Sequence, residues 1–454
     1  MKTRIRSLCL GAAIVCACSI AVAAPVHSKN YRAKLPPRNV ILIIGDGMDS
    51  QQITAARNYL VGAQGYLNVD RLPKRSAAQV LSVSDANPDK AVYVADSASG
   101  GTALATGTVT STGRVATTAG TDKDVPTILE LANAAGYRTG VVTTSTVTDA
   151  TPAAFLSHVR FRLCEGPDNM ANCPGDISIA EQIANGKADV VLGGGYGVSS
   201  RGPAAFSQVV GGKQVLQIAQ EKGFQTVTTP AALDAVTAGR VLGVFGPSTL
   251  PAKLTGPAAT LVTGDTTRLP PVGQCTTNPA FDPNLSLAAL ADKAIELLSK
   301  NNRKGFFLMI ESASIDKEAH SRRACGHIGE MEQLDEVVGM VRDYAGDHPG
   351  TLVIVTADHG QSVQILNEAE PELPPPPGVP LGAPMGYVTQ IVTPSDGSVL
   401  RIGYATSSGL QEEHTGTDVP VLAYGGLPSL LLKPFIHQGD VFRIMGKHLG
   451  LRPE

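Results

Sequence analysis

The sequence predicts an α/β fold, a large and mostly parallel central sheet flanked by helices on both faces. Short, wholly apolar runs recur along the chain and stop at glycine, an acid or a histidine, as strands buried on both faces do. Amphipathic segments at helical spacing alternate with those runs. The chain has 454 residues, 43% of them hydrophobic and 17% charged, which is enough apolar material for a large core and too much for intrinsic disorder. A prior of ~150 residues per domain suggests about three domains, but large α/β enzymes often reach this length around one sheet.

The first segment reads as an address. Lys2, Arg4 and Arg6 form a positive start, Ser7 to Val22 is apolar or small, and Ala21-Val22-Ala23 is a cleavage signal, so residues 1–23 are expected to be a secretory signal peptide. Its loss takes the formal charge from −3 to −6, because it removes three cations. Residues 24–37 read as a flexible lead-in, followed by a single domain over 38–454.

Asn39-Val-Ile-Leu-Ile-Ile44 is the first buried strand, ended by Gly45-Asp46-Gly47. Later runs are Val141-Val142, Val190–Leu192, Val241–Phe245, Phe306–Ile310 ending in Glu311, Leu352–Val355 ending in Thr356-Ala-Asp-His359, and Val421–Tyr424. Between them, the segment from Thr127 to Gly136, the segment from Ser286 to Lys300 with Ser286 as N-cap, and Ile328 to Ala345 carry helical periodicity. Residues 195–280 are less periodic. Residues 370–384 form a Pro-rich insertion, best read as a surface loop.

Of seven cysteines, Cys9, Cys16 and Cys18 fall in the leader. The remaining Cys164, Cys173, Cys275 and Cys325 are an even set in an exported chain, which points to disulfides. The short segment between Cys164 and Cys173 favours their pairing and leaves Cys275 with Cys325. A four-thiolate zinc site is the alternative, disfavoured because no C-x-x-C pair exists. Lys+Arg 37 against Asp+Glu 40 gives no basic excess for nucleic acid. After the leader no apolar run approaches the ~20 residues of a membrane span.

In open α/β sheets the site lies beyond the carboxyl ends of the strands. Those ends carry Asp46, Glu311, Asp358 and His359. One acid after a strand is usually a helix cap; acids and a histidine at three strand ends point to a metal site. Asp316 and His320 share a face if helical, a spacing that suits two ligands of one zinc, although alone they would read as a solvated pair. His414 stands in a turn-rich segment. Val94-Ala-Asp-Ser-Ala-Ser-Gly-Gly-Thr102 reads as a tight turn into a helix. It would put Ser97 at a helix N-terminus, where backbone N–H groups and the dipole favour an alkoxide or phosphate.

With that segment, Thr148-Asp-Ala-Thr-Pro-Ala-Ala154, Arg162-Leu-Cys164, Glu311–His320, Thr356–His359 and Glu413-His-Thr-Gly416, the chain resembles the bacterial alkaline phosphatases of the exported, serine-nucleophile type. The motifs occur in the family's order across most of residues 38–425. The resemblance implies an alkaline-phosphatase-like fold and hydrolysis of phosphate monoesters through a phosphoserine at Ser97. It implies one zinc on Asp316, His320 and His414, and a second on Asp46, Asp358, His359 and Ser97. It also implies one magnesium on Asp46, Thr151 and Glu311. Arg162 would grip the phosphate, with Asp149 and Lys317 supporting the magnesium and the phosphate. It further implies the Cys164–Cys173 and Cys275–Cys325 pairing, a homodimer, and a periplasmic or secreted location.

One position departs from the family pattern. Gln361 stands where many relatives have a second histidine that supports a metal ligand, a change that alters metal affinity or rate rather than the kind of chemistry. A phosphodiesterase or nucleotide pyrophosphatase of the same fold is the nearest alternative, and Ser97, Thr151 and Glu311 argue against it. A phosphate-binding protein without catalysis would not need the full ligand set.

Overall fold

The computed structural model describes residues 36–263, 269–367, 385–426 and 432–451. The expected signal peptide, most of the lead-in and the Pro-rich insertion lie outside the described residues. Residues 36–454 cluster as one compact unit.

Ten strands build the central sheet: β1 (Asn39–Gly45), β2 (Lys74–Gln79), β3 (Arg138–Thr146), β4 (Val190–Gly194), β5 (Gln225–Val227), β6 (Val241–Val244), β7 (Phe306–Ser312), β8 (Thr351–Thr356), β9 (Val419–Gly425) and β10 (Phe435–His437). Their spatial order is β5-β6-β4-β3-β7-β1-β8-β9-β2-β10. All neighbours run parallel except β9, which is antiparallel to both β8 and β2. Val421–Tyr424 was thus expected among the parallel strands and runs the other way. A continuous apolar run signals burial on both faces but carries no strand direction.

Every residue of β1, β7 and β8 is buried. Asn39 aligns the start of all three. Its Nδ2 donates to Thr351 Oγ1 at 3.0 Å, and its Oδ1 accepts the Phe306 N–H at 3.2 Å. The register then sets Ile44 beside both Glu311 and Thr356, so the carboxyl ends of the central strands finish level. The site is assembled on that edge.

The expected helices form with the caps their sequences carry. Thr127 makes a capping box with Glu130 ahead of Ile128–Ala134. Ser286 Oγ accepts the Ala289 N–H at the start of Leu287–Ser299. The long helix runs from Ala324 to Asp347, starting a turn earlier than the periodicity indicated. Cys275–Cys325 ties its first turn down, with a Cα–Cα distance of 5.4 Å, and Cys164–Cys173 is the second disulfide.

The weakly periodic region 195–280 is not a plain loop. It supplies β5 and β6, then Thr260–Thr263, the edge strand of a small antiparallel sheet completed by Met385–Val392, Val399–Tyr404 and Gln364–Leu366. Among the described residues, no helix is long and apolar enough to cross a membrane.

Candidate active site

Ser97 opens the Ser97–Thr106 helix directly, so the small residues after it belong to the helix and not to a separate turn. Asp96 is the N-cap: its Oδ1 accepts the Ser99 N–H at 3.0 Å, and Ser99 Oγ accepts the Asp96 N–H at 3.2 Å. Gly100 lets this helix approach the β8 turn. A Cβ there would sit 2.3 Å from the Asp358 carbonyl oxygen, far inside contact distance. That close approach leaves Ser97 Oγ 3.2 Å from His359 Nε2.

Asp96 does more than cap. Its carboxylate also accepts the Gly113 N–H and, at 3.1 Å, an N–H of Arg162. The other terminal nitrogen of Arg162 donates to Asp149 Oδ1 at 3.1 Å. Among the described residues, two of the five guanidinium N–H groups are engaged, one by each carboxylate, and the side chain is 22% exposed, open to a ligand. Asp149 Oδ2 takes Lys317 Nζ at 2.5 Å. Burial alone would raise the Asp149 pKa, but Lys317 and Arg162 outweigh it and hold the carboxylate well below its ordinary range. Burial would likewise lower the Lys317 pKa, and Asp149, Asp46 and Asp316 reverse it.

Two clusters of nitrogen and oxygen atoms face each other beside Ser97. In one, His320 Nε2 lies 3.0 Å from His414 Nε2, and Asp316 Oδ1 lies 3.3 and 3.4 Å from those two nitrogens. Asp316 and His320 do share a face of the short Ser314–His320 helix. In the other, Asp46 Oδ1 and Asp358 Oδ2 lie 3.3 and 3.4 Å from His359 Nε2. A tetrahedral ion with bonds of ~2.0 Å has ligand–ligand edges of ~3.3 Å, so both clusters have the spacing of metal ligand sets. The clusters nearly touch: the His359 and His414 ring centroids are 3.7 Å apart, and His359 also falls within ligand reach of Asp316 and His414.

Backbone carbonyls fix the imidazoles. The Nδ1 atoms of His320, His359 and His414 face the carbonyl oxygens of Glu412, Gly360 and Ala95. With the proton on Nδ1, each Nε2 lone pair points into the site. Burial keeps His359 below its ordinary pKa. Burial also opposes charge on His320 and His414, but the Asp316 carboxylate more than offsets it and raises both.

Glu311, next to last in β7 and registered beside Ile44, accepts the hydroxyl of Thr143, its neighbour on β3. Burial, then Asp149, pushes its pKa up to about 8. Asp46 is driven well above its ordinary value, by burial first and then by Asp358, Asp316 and Glu311. So many acids crowded into one buried edge strain against each other until cations neutralise them. The Thr151 hydroxyl, Asp46 Oδ1 and Asp358 Oδ2 are buried without any hydrogen-bond partner among the described residues. Orphaned oxygens of this kind fit cation ligands, and Thr151, Asp46 and Glu311 offer a magnesium only the hard oxygens it prefers.

Gln361 touches the site from behind. Its side chain reaches Asp316, and its backbone pairs with His414 in a two-residue ladder, Gly360–Gln361 against His414–Thr415.

The structure brings Ser97, His359, Asp46, Asp358, Asp316, His320, His414 and Gln361 together beyond the carboxyl ends of the central strands, with Arg162, Asp149 and Lys317 linked to one another beside Ser97. Sequence reasoning missed Asp96 as the Arg162 partner, although its place directly before Ser97 was a readable capping signal. It also missed Thr143 under Glu311 and the three carbonyls behind the imidazoles, which no side-chain identity encodes.

The fold and these paired ligand clusters define an α/β protein with a site that could hold metal ions at the carboxyl ends of its central strands. The family model described as alkaline phosphatase matches residues 37–409. The chain is 40% identical over 436 residues to the alkaline phosphatase of Escherichia coli (strain K12), covering 92% of this chain and 87% of that protein. It is 41% identical over 439 residues to the streptomycin-6-phosphate phosphatase of Streptomyces griseus, covering 92% of each. Among solved structures, the alkaline phosphatase of the Antarctic bacterium TAB5 shares the fold at a TM-score of 0.68 and 23% identity, over 92% of this chain and 99% of that one. The chain belongs to the alkaline phosphatase family and is a phosphomonoesterase.

Proposed function

We propose that the enzyme hydrolyses phosphate monoesters in two displacements through a covalent phosphoserine at Ser97. The observation that carries the reading is the placement of Ser97 Oγ at a helix N-terminus, 3.2 Å from His359 Nε2 and beside an Arg162 anchored by Asp96 and Asp149.

In this reading one zinc would be held by Asp316, His320 and His414, and a second by Asp46, Asp358, His359 and the Ser97 oxygen. Asp46, Thr151 and Glu311 would hold one magnesium. When bound, such ions supply Lewis acidity that favours ionised oxygen nucleophiles and neutralises charge on the transferring phosphoryl group.

The chain's own residues supply the rest. Arg162 offers its free N–H groups to two phosphate oxygens and orients the ester. Ser97 Oγ attacks phosphorus as the P–O bond to the alcohol breaks, and the proton Ser97 gives up ends on the departing alcohol oxygen. Water then attacks phosphorus from the vacated side as the bond to Ser97 Oγ breaks; one proton of the water regenerates the Ser97 hydroxyl and the other leaves with the inorganic phosphate. Asp149 and Lys317 hold Arg162 and the magnesium side of the site in register. Gln361 steadies Asp316.

The same reading takes residues 38–454 as one catalytic domain after a signal peptide over 1–23. It makes the enzyme exported, which two disulfides support, and homodimeric as its family leads one to expect. Small phosphate monoesters are its partners. Neither the charge balance nor the site suits nucleic acid. Comparing rates on a chromogenic phosphate monoester and the matching diester, alongside elemental analysis for zinc and magnesium, tests the reading. Preference for the diester would redirect it.

A further inference from the structure

Two residues beyond the Ser314–His320 helix, Arg322 occupies the left-handed region at φ 58°, a conformation that disfavours side chains unless the surroundings hold them. Its surroundings do. The guanidinium carbon lies 3.6 Å over the centroid of the Tyr387 ring. Its Nε donates to Glu412 Oε1 at 2.6 Å, and one terminal nitrogen donates to the carbonyls of Ser407 and Gly409. Glu412 is fully buried, and its second oxygen accepts the Thr406 N–H at 2.8 Å and the Thr406 hydroxyl at 2.7 Å. The turn from Thr406 to Glu413 is therefore wound around one carboxylate, and that carboxylate is clamped by Arg322.

The backbone of Glu412 is what matters for the site. Its N–H donates to the His320 carbonyl at 3.0 Å, and its own carbonyl accepts His320 Nδ1. Two residues on stands His414, whose Nε2 lies 3.0 Å from that of His320. We infer that Arg322, through its ion pair with Glu412, is the positioning residue for His320 and His414. It holds the carbonyl that sets the His320 tautomer and the strand that delivers His414. This deepens the metal assignment proposed above and rests on it. Asp46, Asp358 and His359 are instead carried by the turns that follow β1 and β8.

A buried carboxylate left without its cation disturbs whatever it organises, so the effect should fall on one metal set and not the other. The test uses the full-length enzyme, stripped of metal and titrated with zinc against a chromogenic chelator, and with cobalt while its visible spectrum is recorded. Arg322→Met should weaken one of the two zinc sites by about 10–100-fold and leave the other as in wild type. It should also change the cobalt absorption of that site alone. Arg322→Lys, which keeps the charge but not the fork, should fall between. The paired variant Arg322→Met with Glu412→Gln removes both charges, so the fold is spared a buried unpaired carboxylate. It should show the same one-site loss. Wild-type affinities and cobalt spectrum in these variants, or equal weakening of both sites, would overturn the inference. Wild-type protein that takes up no zinc would refute the metal assignment itself, a distinct outcome.

Discussion

Gln361 Nε2 donates to Asp316 Oδ1 at 2.5 Å, while Gln361 Oε1 accepts the Ser362 N–H at 2.7 Å. The amide is locked by its neighbour's backbone and in turn locks one metal-facing carboxylate. It thereby offers Asp316 an N–H, the kind of ligand support that the family resemblance led one to expect from a histidine at this position. Gln361→Ala should weaken zinc binding at the Asp316 cluster by about 10–100-fold, read by chelator competition. Gln361→His should retain most of the affinity, since it restores a donor. A Gln361→Ala enzyme with wild-type affinity would show that Asp316 needs no such support.

Ser97→Ala removes the proposed nucleophile but leaves the Asp96 cap and the helix in place. Turnover of a chromogenic monoester should fall by at least about a thousandfold, with folding and metal content intact. Near-normal turnover in a folded, metal-loaded variant would take Ser97 out of that role.

Metal removal should silence the enzyme reversibly. The orphaned Thr151 hydroxyl and the crowded Asp46, Asp358 and Glu311 carboxylates indicate that the site is built around cations. Chelation should abolish activity, zinc should restore part of it, and zinc with magnesium the rest. Full activity in protein shown metal-free by elemental analysis would contradict this.

Glu165 gives a pH-dependent stability. Burial, then the Asp149 charge, raises its pKa to about 7 despite the 2.7 Å bond from the Thr148 hydroxyl. The folded state therefore binds a proton that the unfolded chain releases near its ordinary value of 4.5. Its contribution is complete below that value and is lost as pH rises through about 7. Glu165→Gln mimics the protonated form. Its thermal midpoint should exceed that of wild type at pH 8, and the gap should shrink at pH 5. An equal gap at both values would assign the effect to something other than titration.

Which parts of this molecule could be read from its residues follows from local physics. β1, β7 and β8 were legible because their apolar runs have no polar interruption until Gly45, Glu311 and Thr356, and the acids beyond them named the site. Lys74–Gln79, Gln225–Val227 and Phe435–His437 were not. They are short or partly exposed, and tertiary pairing rather than composition makes them strands. The reversal of Val419–Gly425 was hidden because burial does not encode direction. Asp96, Glu412 and Arg322 escaped for another reason. Each acts through a carbonyl or a carboxylate brought close only by the fold, so sequence neighbours could not reveal it.

The covalent route through Ser97 is tested most directly by the stereochemical course at phosphorus. Two in-line displacements, by Ser97 Oγ and then by water, invert the centre twice and give net retention. Direct attack by water inverts it once. Both routes need the same metals and the same Arg162, so neither metal content nor affinity separates them. With a monoester made chiral at phosphorus by oxygen isotopes and an amino alcohol such as Tris as acceptor, the account predicts retention in the phosphate ester formed. Inversion would contradict it even if every ligand assignment proved correct.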